Sequence, residues 1–231
     1  VDIVGGLLLL ILLAPVIIVV GCIIVLTSSG PAFYTQVRLG RFGKPFVIWK
    51  LRTMEHNAEG RSGPKWSTPG DSRVTPIGRI LRRLHIDEFP QLWNVLRGEM
   101  SLVGPRPERP EFFPVLSAAI SNYGDRLLVK PGVTGMAQVY LPPDEDVSGV
   151  RRKQKFDVFY IAAIGFWLDL RLMLATVLQA VGVPHSIVRP GLWLPHMDQI
   201  EMPEAPLEVS PKPHRSSTHL VTVPPASPTA S

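Results

Sequence analysis

A single cysteine, Cys22, occurs in 231 residues, so an intrachain disulfide and a cysteine-based zinc site are both excluded. The six histidines, His56 and His85 among them, lack metal-ligand spacing. There is no P-loop, no dinucleotide fingerprint and no internal repeat. Charge is missing from residues 3–26, 24 positions in succession, and does not return until Arg38. What remains is 45% hydrophobic and 19% charged, with a net charge of +5 and a mean hydropathy of +0.18. This length and composition suit one folded domain with appendages. The positive surplus favours anionic partners. Without a nucleic-acid recognition module, a membrane-bound DNA or RNA binder is the weaker reading of that surplus.

The uncharged run 3–26 is long enough for a membrane segment. A cleaved signal peptide fits it badly, because it has no basic leader and no small-residue cleavage site. A single straight span and a kinked hairpin both fit. Pro15 stands mid-run, where it removes a backbone donor and crowds the carbonyl of Ile11, so the sequence predicts a break there. Each half, about 12 residues at ~1.5 Å, covers only ~18 Å and would dip into one leaflet. Arg38, Arg41, Lys44, Lys50 and Arg52 follow closely, which places the next region in the cytosol.

Residues 30–111 hold 14 Lys/Arg against 8 Asp/Glu, slightly more than the whole surplus. Ala32-Phe33-Tyr34 and Phe46-Val47-Ile48-Trp49 flank a Gly- and Pro-containing turn and predict a β-hairpin. Residues 60–70 read as a loop. Thr75 then caps, and Pro76 begins, a helix whose Ile77, Ile80, Leu81 and Leu84 form one apolar stripe beside Arg79, Arg82 and Arg83. Such a helix either packs on its own core or lies at a membrane surface or phosphate site.

His85-Ile86-Asp87-Glu88-Phe89-Pro90-Gln91-Leu92 is the most informative stretch. Pro90 and Gly98 bracket a short helix. Asp87 and Glu88 at its start serve either as caps or as chemistry. Adjacent side chains do not share a helical face, so the two carboxylates have separate roles: one attacks phosphorus while the other helps hold a hard cation, which needs only one or two carboxylates plus substrate phosphates. The stiff loop Gly104-Pro105-Arg106-Pro107-Glu108-Arg109-Pro110 offers Arg106 and Arg109 for bidentate phosphate contact.

Lys50-Leu51-Arg52-Thr53-Met54, Leu81-Arg82-Arg83 leading to Asp87-Glu88-Phe89-Pro90-Gln91-Leu92, Ser101-Leu102-Val103-Gly104-Pro105-Arg106-Pro107 and Lys130-Pro131-Gly132-Val133-Thr134-Gly135 together resemble the bacterial sugar transferase family, the monotopic polyprenyl-phosphate phosphoglycosyl transferases. The likeness runs in order over roughly residues 1–180. It implies a small α/β, mainly helical, cytosolic domain with an N-terminal re-entrant membrane helix-hairpin and interfacial amphipathic helices. It also implies transfer of a sugar-1-phosphate from a UDP-sugar to undecaprenyl phosphate with release of UMP, with Mg²⁺ as cofactor, as the first membrane-committed step of a surface glycan. By this match Asp87 is the nucleophile that forms a phosphosugar-aspartyl intermediate, and Glu88, with Asp87, holds the metal. Arg82, Arg106, Lys50 and Arg52 contact phosphate, and Pro15 marks the membrane break. Ala14-Pro15 stands where the family often has Ser-Pro, Met136 where a tryptophan is typical, and Ala163 where asparagine is common.

The expected organisation is therefore a hairpin over 1–29, a catalytic domain over 30–183 and a Pro/Ser-rich, disordered tail over 184–231. The tail has 10 prolines in 48 residues. Residues 158–181, apolar but interrupted by Asp169 and Arg171, suit an interfacial or core helix better than a second span. The implied location is the bacterial inner membrane, with the site at the cytosolic face among membrane lipids. A homo-oligomer is compatible with all of this. The competing reading is a catalytically inert membrane-anchored scaffold of the same fold, against which the intact Asp87-Glu88 pair argues.

Overall fold

The computed structural model describes residues 2–58, 60, 70–142 and 146–201. Most of the loop expected over 60–70 and the tail from 202 onward lie outside the described residues. The chain is mainly helical, with two small sheets.

Helix α1 runs from Asp2 to Thr27, roughly 39 Å at about 1.5 Å per residue. It is long and apolar enough to cross a membrane. Pro15 lies inside it rather than at a turn between two helices, so the hairpin expected over 1–29 is replaced by one helix. The reason is packing on both sides of the proline. Gly6, Ile17, Gly21 and Ile24 are buried, and Leu10, Leu13 and Val20 pack beside them. These positions recur every three or four residues and form one stripe along the helix. The stripe lies against the rest of the protein, while Leu8, Leu12, Ile18 and Leu26 on other faces stay exposed.

Both ends of α1 are tied to the same domain. The Asp2 carboxylate accepts from Ser101 Oγ at 2.9 Å and from the Leu102 backbone N–H at 3.2 Å. At the other end, the Arg52 guanidinium donates to the carbonyls of Ser28 (3.0 Å), Ser29 and Gly30 (3.2 Å). A cation just beyond the C-terminus of a helix is stabilising there.

The predicted hairpin is present. Strands β1 (Phe33–Leu39) and β2 (Pro45–Leu51) pair antiparallel, with Phe33 opposite Leu51 and Leu39 opposite Pro45. Phe46 and Ile48 point inward in alternation, as a half-buried strand requires, and Leu51 at the strand's end is buried in a separate cluster beside α1. Helix α2 (Pro76–Arg83) starts as expected, with Thr75 Oγ1 accepting from the Gly78 N–H at 3.0 Å. Its stripe divides: Leu81 and Ile77 pack against α1, whereas Ile80 and Leu84 are exposed.

A 3-10 turn (Ile86–Glu88) leads into α3 (Gln91–Leu96). Strands β3 (Ser101–Val103) and β4 (Gly132–Thr134) then pair in parallel, Ser101 with Gly132 and Val103 with Thr134. Two of the sequence motifs thus become one two-stranded sheet. Between them lie α4 (Phe113–Ala119) and a second 3-10 turn, Tyr123–Leu127. The backbones approach so closely that a Cβ on Gly132 would stand 2.0 Å from the Gly104 nitrogen, so only glycine fits.

Helices α5 (Met136–Tyr140), α6 (Val147–Ala163) and α7 (Phe166–Ala180) close the core. Residues 158–181 fall on two helices rather than one. Leu172 and Ala175 of α7 are fully buried, whereas Phe166 and Trp167 are exposed. The tail expected to begin at 184 is ordered in its first part. It forms α8 (His185–Gly191) and α9 (Met197–Glu201), and Val188, Leu194 and Ile200 are buried in the main core. Proline content misled here because Pro184 falls at the N-cap of α8, where no hydrogen bond is lost, and burial of the apolar side chains outweighs the bond that Pro190 removes inside the helix.

Candidate active site

The 3-10 turn carrying Asp87 and Glu88 is set between two apolar anchors. Ile86 and Phe89 pack into the cluster formed by Ile17, Ile24, Leu51 and Leu81, so the turn rests directly on α1. His85 precedes it in the left-handed region, φ 57°, which turns the chain out of α2 and into the site. Asn94, fully buried, fixes the other side. Its Nδ2 donates to the Val47 carbonyl at 2.7 Å, and its Oδ1 accepts the Trp49 N–H at 3.2 Å. This ties α3 to β2, the strand that carries Lys50.

Asp87 and Glu88 are each 7% exposed, yet their surroundings differ. Glu88 Oε1 accepts Lys50 Nζ at 2.7 Å and Arg106 Nη2 at 2.8 Å, both in the short range of charge-assisted bonds. Burial opposes its charge, but Arg106 and Lys50 outweigh burial and hold the carboxyl far below the usual range. Among the described residues, no donor hydrogen-bonds the Asp87 carboxylate. Burial pushes its pKa up, the adjacent Glu88 charge adds to that, and Lys50, Arg106 and Arg82 oppose. One carboxylate is therefore locked and ionised. The other is unbonded and poised, the division of labour expected when two acids sit in unlike environments.

Arg82 projects from α2 and its Nε donates to Thr53 Oγ1 at 2.8 Å, with its charge acting on Asp87. Lys50 is buried enough that its pKa falls, with Glu88 pulling the other way. The Arg106 loop is pinned from behind. Arg126 Nη2 donates to the Arg106 carbonyl at 3.0 Å and pairs with Asp157 at 2.9 Å. Arg126 also meets Glu108 Oε2 at 3.2 Å, and that carboxylate accepts the Tyr123 hydroxyl at 2.8 Å.

Of the six residues expected at the site, Asp87, Glu88, Lys50 and Arg106 come together, and Arg82 stands beside Asp87. Arg52 does not join them; it is committed to the carbonyls of Ser28, Ser29 and Gly30, just past the end of α1. Arg38 and Gln91 enter the site unannounced. With Lys50 and Arg106 they line a small cleft floored by Ile48 and Pro107. Gln91 stood inside a quoted motif, but nothing in its spacing gave it a role, and Arg38 counted only as positive charge.

Among the described residues, no cluster of three or more His, Cys, Asp or Glu side chains could hold a metal ion. A hard cation that also takes substrate phosphate oxygens needs fewer protein ligands. Among the described residues, the Asp87 carboxylate accepts no hydrogen bond and Glu88 Oε2 has only a 3.5 Å contact to Arg106 Nη1. The donor set therefore fits Mg²⁺ shared with a diphosphate.

Residues 1–182 match the family model described as bacterial sugar transferase. Over 177 residues the chain is 37% identical to a UDP-N-acetylgalactosamine-undecaprenyl-phosphate N-acetylgalactosaminephosphotransferase of Aeromonas hydrophila, covering 77% of this chain and 42% of that protein. It is 44% identical over 179 residues to a UDP-glucose:undecaprenyl-phosphate glucose-1-phosphate transferase of Caulobacter vibrioides, covering 77% of this chain and 67% of that one. A putative undecaprenyl-phosphate N-acetylgalactosaminyl 1-phosphate transferase of Bacillus subtilis is 51% identical over 105 residues, 46% of this chain and 58% of that relative. The chain thus spans less than half of the Aeromonas relative and about two thirds of the Caulobacter one.

Proposed function

The chain belongs to the bacterial sugar transferase family, and we propose that it transfers a sugar-1-phosphate from a UDP-sugar to undecaprenyl phosphate, releasing UMP, at the start of a surface glycan. The observation that carries this reading is the contrast within one turn: Glu88 held by two cations, Asp87 buried and without a hydrogen-bond donor among the described residues.

In the first step an Asp87 carboxylate oxygen attacks the β-phosphorus. The bond between that phosphorus and the bridging oxygen breaks, and the electron pair leaves on the α-phosphate of UMP. Asp87 then carries the phosphosugar as an acyl phosphate. In the second step an oxygen of undecaprenyl phosphate attacks the same phosphorus and frees Asp87. Splitting one displacement into two in this way is the purpose of a covalent nucleophile. Arg106, Lys50 and Arg82 offset charge on the phosphates, the main electrostatic route in such transfers. Mg²⁺, held by Glu88 and Asp87, would screen the diphosphate.

One substrate is soluble and the other is embedded in lipid, so the nucleophile belongs at headgroup depth. Support comes from the turn beneath Asp87, which packs on the apolar α1, and from the bonds that tie both α1 ends to one domain. In this reading α1 is embedded in one leaflet of the inner membrane, with both of its ends and the site at the cytosolic face. The relatives' names carry both glucose and N-acetylgalactosamine, so the sugar is to be found by trial. With at least one member of a UDP-sugar panel, purified chain should release UMP over many turnovers when undecaprenyl phosphate is present, and no more than about one UMP per chain when it is not. Absence of turnover across the panel, with folded protein and Mg²⁺, would defeat the reading.

A further inference from the structure

The cleft between β1, β2, α3 and the Arg106 loop has a use that the carboxylate pair does not exhaust. Its walls carry three cations, Arg38, Lys50 and Arg106. Lys50 and Arg106 share one anion, Glu88. Arg38 is oriented by neutral acceptors, the Pro107 carbonyl at 3.0 Å and Gln36 Oε1 at 2.6 Å, and no carboxylate among the described residues lies within ion-pair distance of it. Three cations thus meet in the cleft, with Asp87 also acting on Lys50 and Glu108 on Arg38. Burial, and after it the Arg106 charge, pull the Arg38 pKa down to about 10, which an anion between the two would relieve.

Gln91 supplies the second observation. It is 2% exposed and its Nε2 donates to no group among the described residues, although it lines the same cleft. A buried donor left unmet costs about 1–3 kcal/mol. Leu92 and Val95, buried in the core, fix the helix that carries it, so the amide is presented rather than stray. The cleft has room for one water-sized group, the size of a single phosphate oxygen.

Position selects the phosphate. The cations acting on Asp87 are Lys50, Arg106 and Arg82, and those two arms of the cleft reach the nucleophile. Arg38 instead neighbours Arg106, Glu108 and Arg109, one step beyond. A group bonded to the attacked phosphorus, but not itself attacked, belongs there.

We propose that Arg38 and Gln91, with Lys50 and Arg106, form a subsite for a non-bridging oxygen of the nucleotide α-phosphate, holding UMP as it leaves. This rests on the transferase reading above. The polyprenyl phosphate offers the same chemistry, so the test separates the two sources. UMP affinity is measured on the full chain in nanodiscs, alongside the KM for undecaprenyl phosphate, for wild type, Gln91→Met, Arg38→Met and Arg38→Lys. Loss of one bond to a charged oxygen should weaken UMP about tenfold or more in Gln91→Met. Arg38→Met should do likewise, with partial rescue by Arg38→Lys, which keeps the charge but not the fork that holds Pro107 and Gln36. The KM for undecaprenyl phosphate should stay within about twofold, as one decade in affinity corresponds to ~1.4 kcal/mol. If wild type binds UMP and the variants bind it equally, the subsite is refuted while the transferase reading stands. If the lipid KM rises and UMP affinity does not, the oxygen belongs to the acceptor and the assignment is overturned. If wild type binds no UMP, the transferase reading fails with it.

Discussion

Asp87 and Glu88 are neighbours in one 3-10 turn and equally buried, yet Glu88 accepts two cationic donors while the Asp87 carboxylate accepts none among the described residues. The pair is thereby driven apart in acidity, and the predictions below follow from that asymmetry and its supports.

Asp87→Asn should abolish transfer, by about 10³-fold or more, since the covalent route loses its nucleophile. Wild type incubated with a UDP-sugar carrying a labelled β-phosphate should become labelled, and Asp87→Asn should not. Glu88→Gln should also be slow, but it strands Lys50 and Arg106 and should unfold more readily, by roughly 3 kcal/mol. Labelling of Asp87→Asn at the wild-type level would place the adduct elsewhere.

The pH profile should be bell-shaped with both limbs moved inward. Burial and Glu88 raise the Asp87 pKa, so Asp87 is protonated, and kcat/KM falls, at a pH above the ordinary aspartate value of about 3.9. Glu88 is shifted down and stays charged across that range, so it adds no acid limb. Lys50 is shifted down by burial, so its charge is lost below the usual ~10.4 and the alkaline limb moves with it. An acid limb at the ordinary aspartate position would contradict the unbonded, desolvated carboxylate.

Gly78→Ala is a sharp probe of how α2 is seated. A Cβ there would stand 2.1 Å from the Thr53 carbonyl oxygen, so α2 must move, and Arg82 with it away from Thr53 Oγ1. The variant should lose stability by about 1–3 kcal/mol and lose activity as Arg82 leaves Asp87. Denaturant unfolding and UMP release measure the two effects. A neutral substitution would mean the close approach is not kept in solution.

Asp157→Asn removes one partner of a buried ion pair, with Asp157 1% and Arg126 7% exposed. The expected cost is about 3–5 kcal/mol. Because Arg126 also holds the Arg106 carbonyl, kcat should fall as well. Stability and kcat both unchanged would remove this network from the account of how Arg106 is aimed.

For topology, cysteines placed at Val4 and Ser28 in a Cys22→Ser background should both react with an impermeant thiol reagent from the cytosolic side only. Labelling of the two positions from opposite sides would mean that α1 spans the bilayer and parts from Ser101 or from Arg52.

The residues alone were enough for several elements. The apolar runs Ala32-Phe33-Tyr34 and Phe46-Val47-Ile48-Trp49 about a Gly- and Pro-containing turn gave the hairpin, and Thr75-Pro76 opened α2, because caps and turns are local rules. Local rules failed where packing overrode them. Pro15 predicted a break, but the stripe from Gly6 to Ile24 holds the helix on both sides of it. The prolines after residue 183 suggested disorder, but Val188, Leu194 and Ile200 carry enough apolar surface to dock. Arg52 read as a phosphate ligand, because sequence does not show that it bonds the carbonyls of Ser28 and Gly30 just past α1.

The sequence by itself determined the chemistry on offer: an adjacent Asp-Glu pair, arginines in a proline-stiffened loop and an uncharged helix, all written in contiguous motifs. Tertiary structure decided how that chemistry is divided. Lys50 and Arg106 lie 38 and 18 positions from Glu88 and meet its carboxylate only after β2, the 3-10 turn and the Arg106 loop are packed together. Acidity depends on distance to charge and on access to water, and neither exists until the chain has folded.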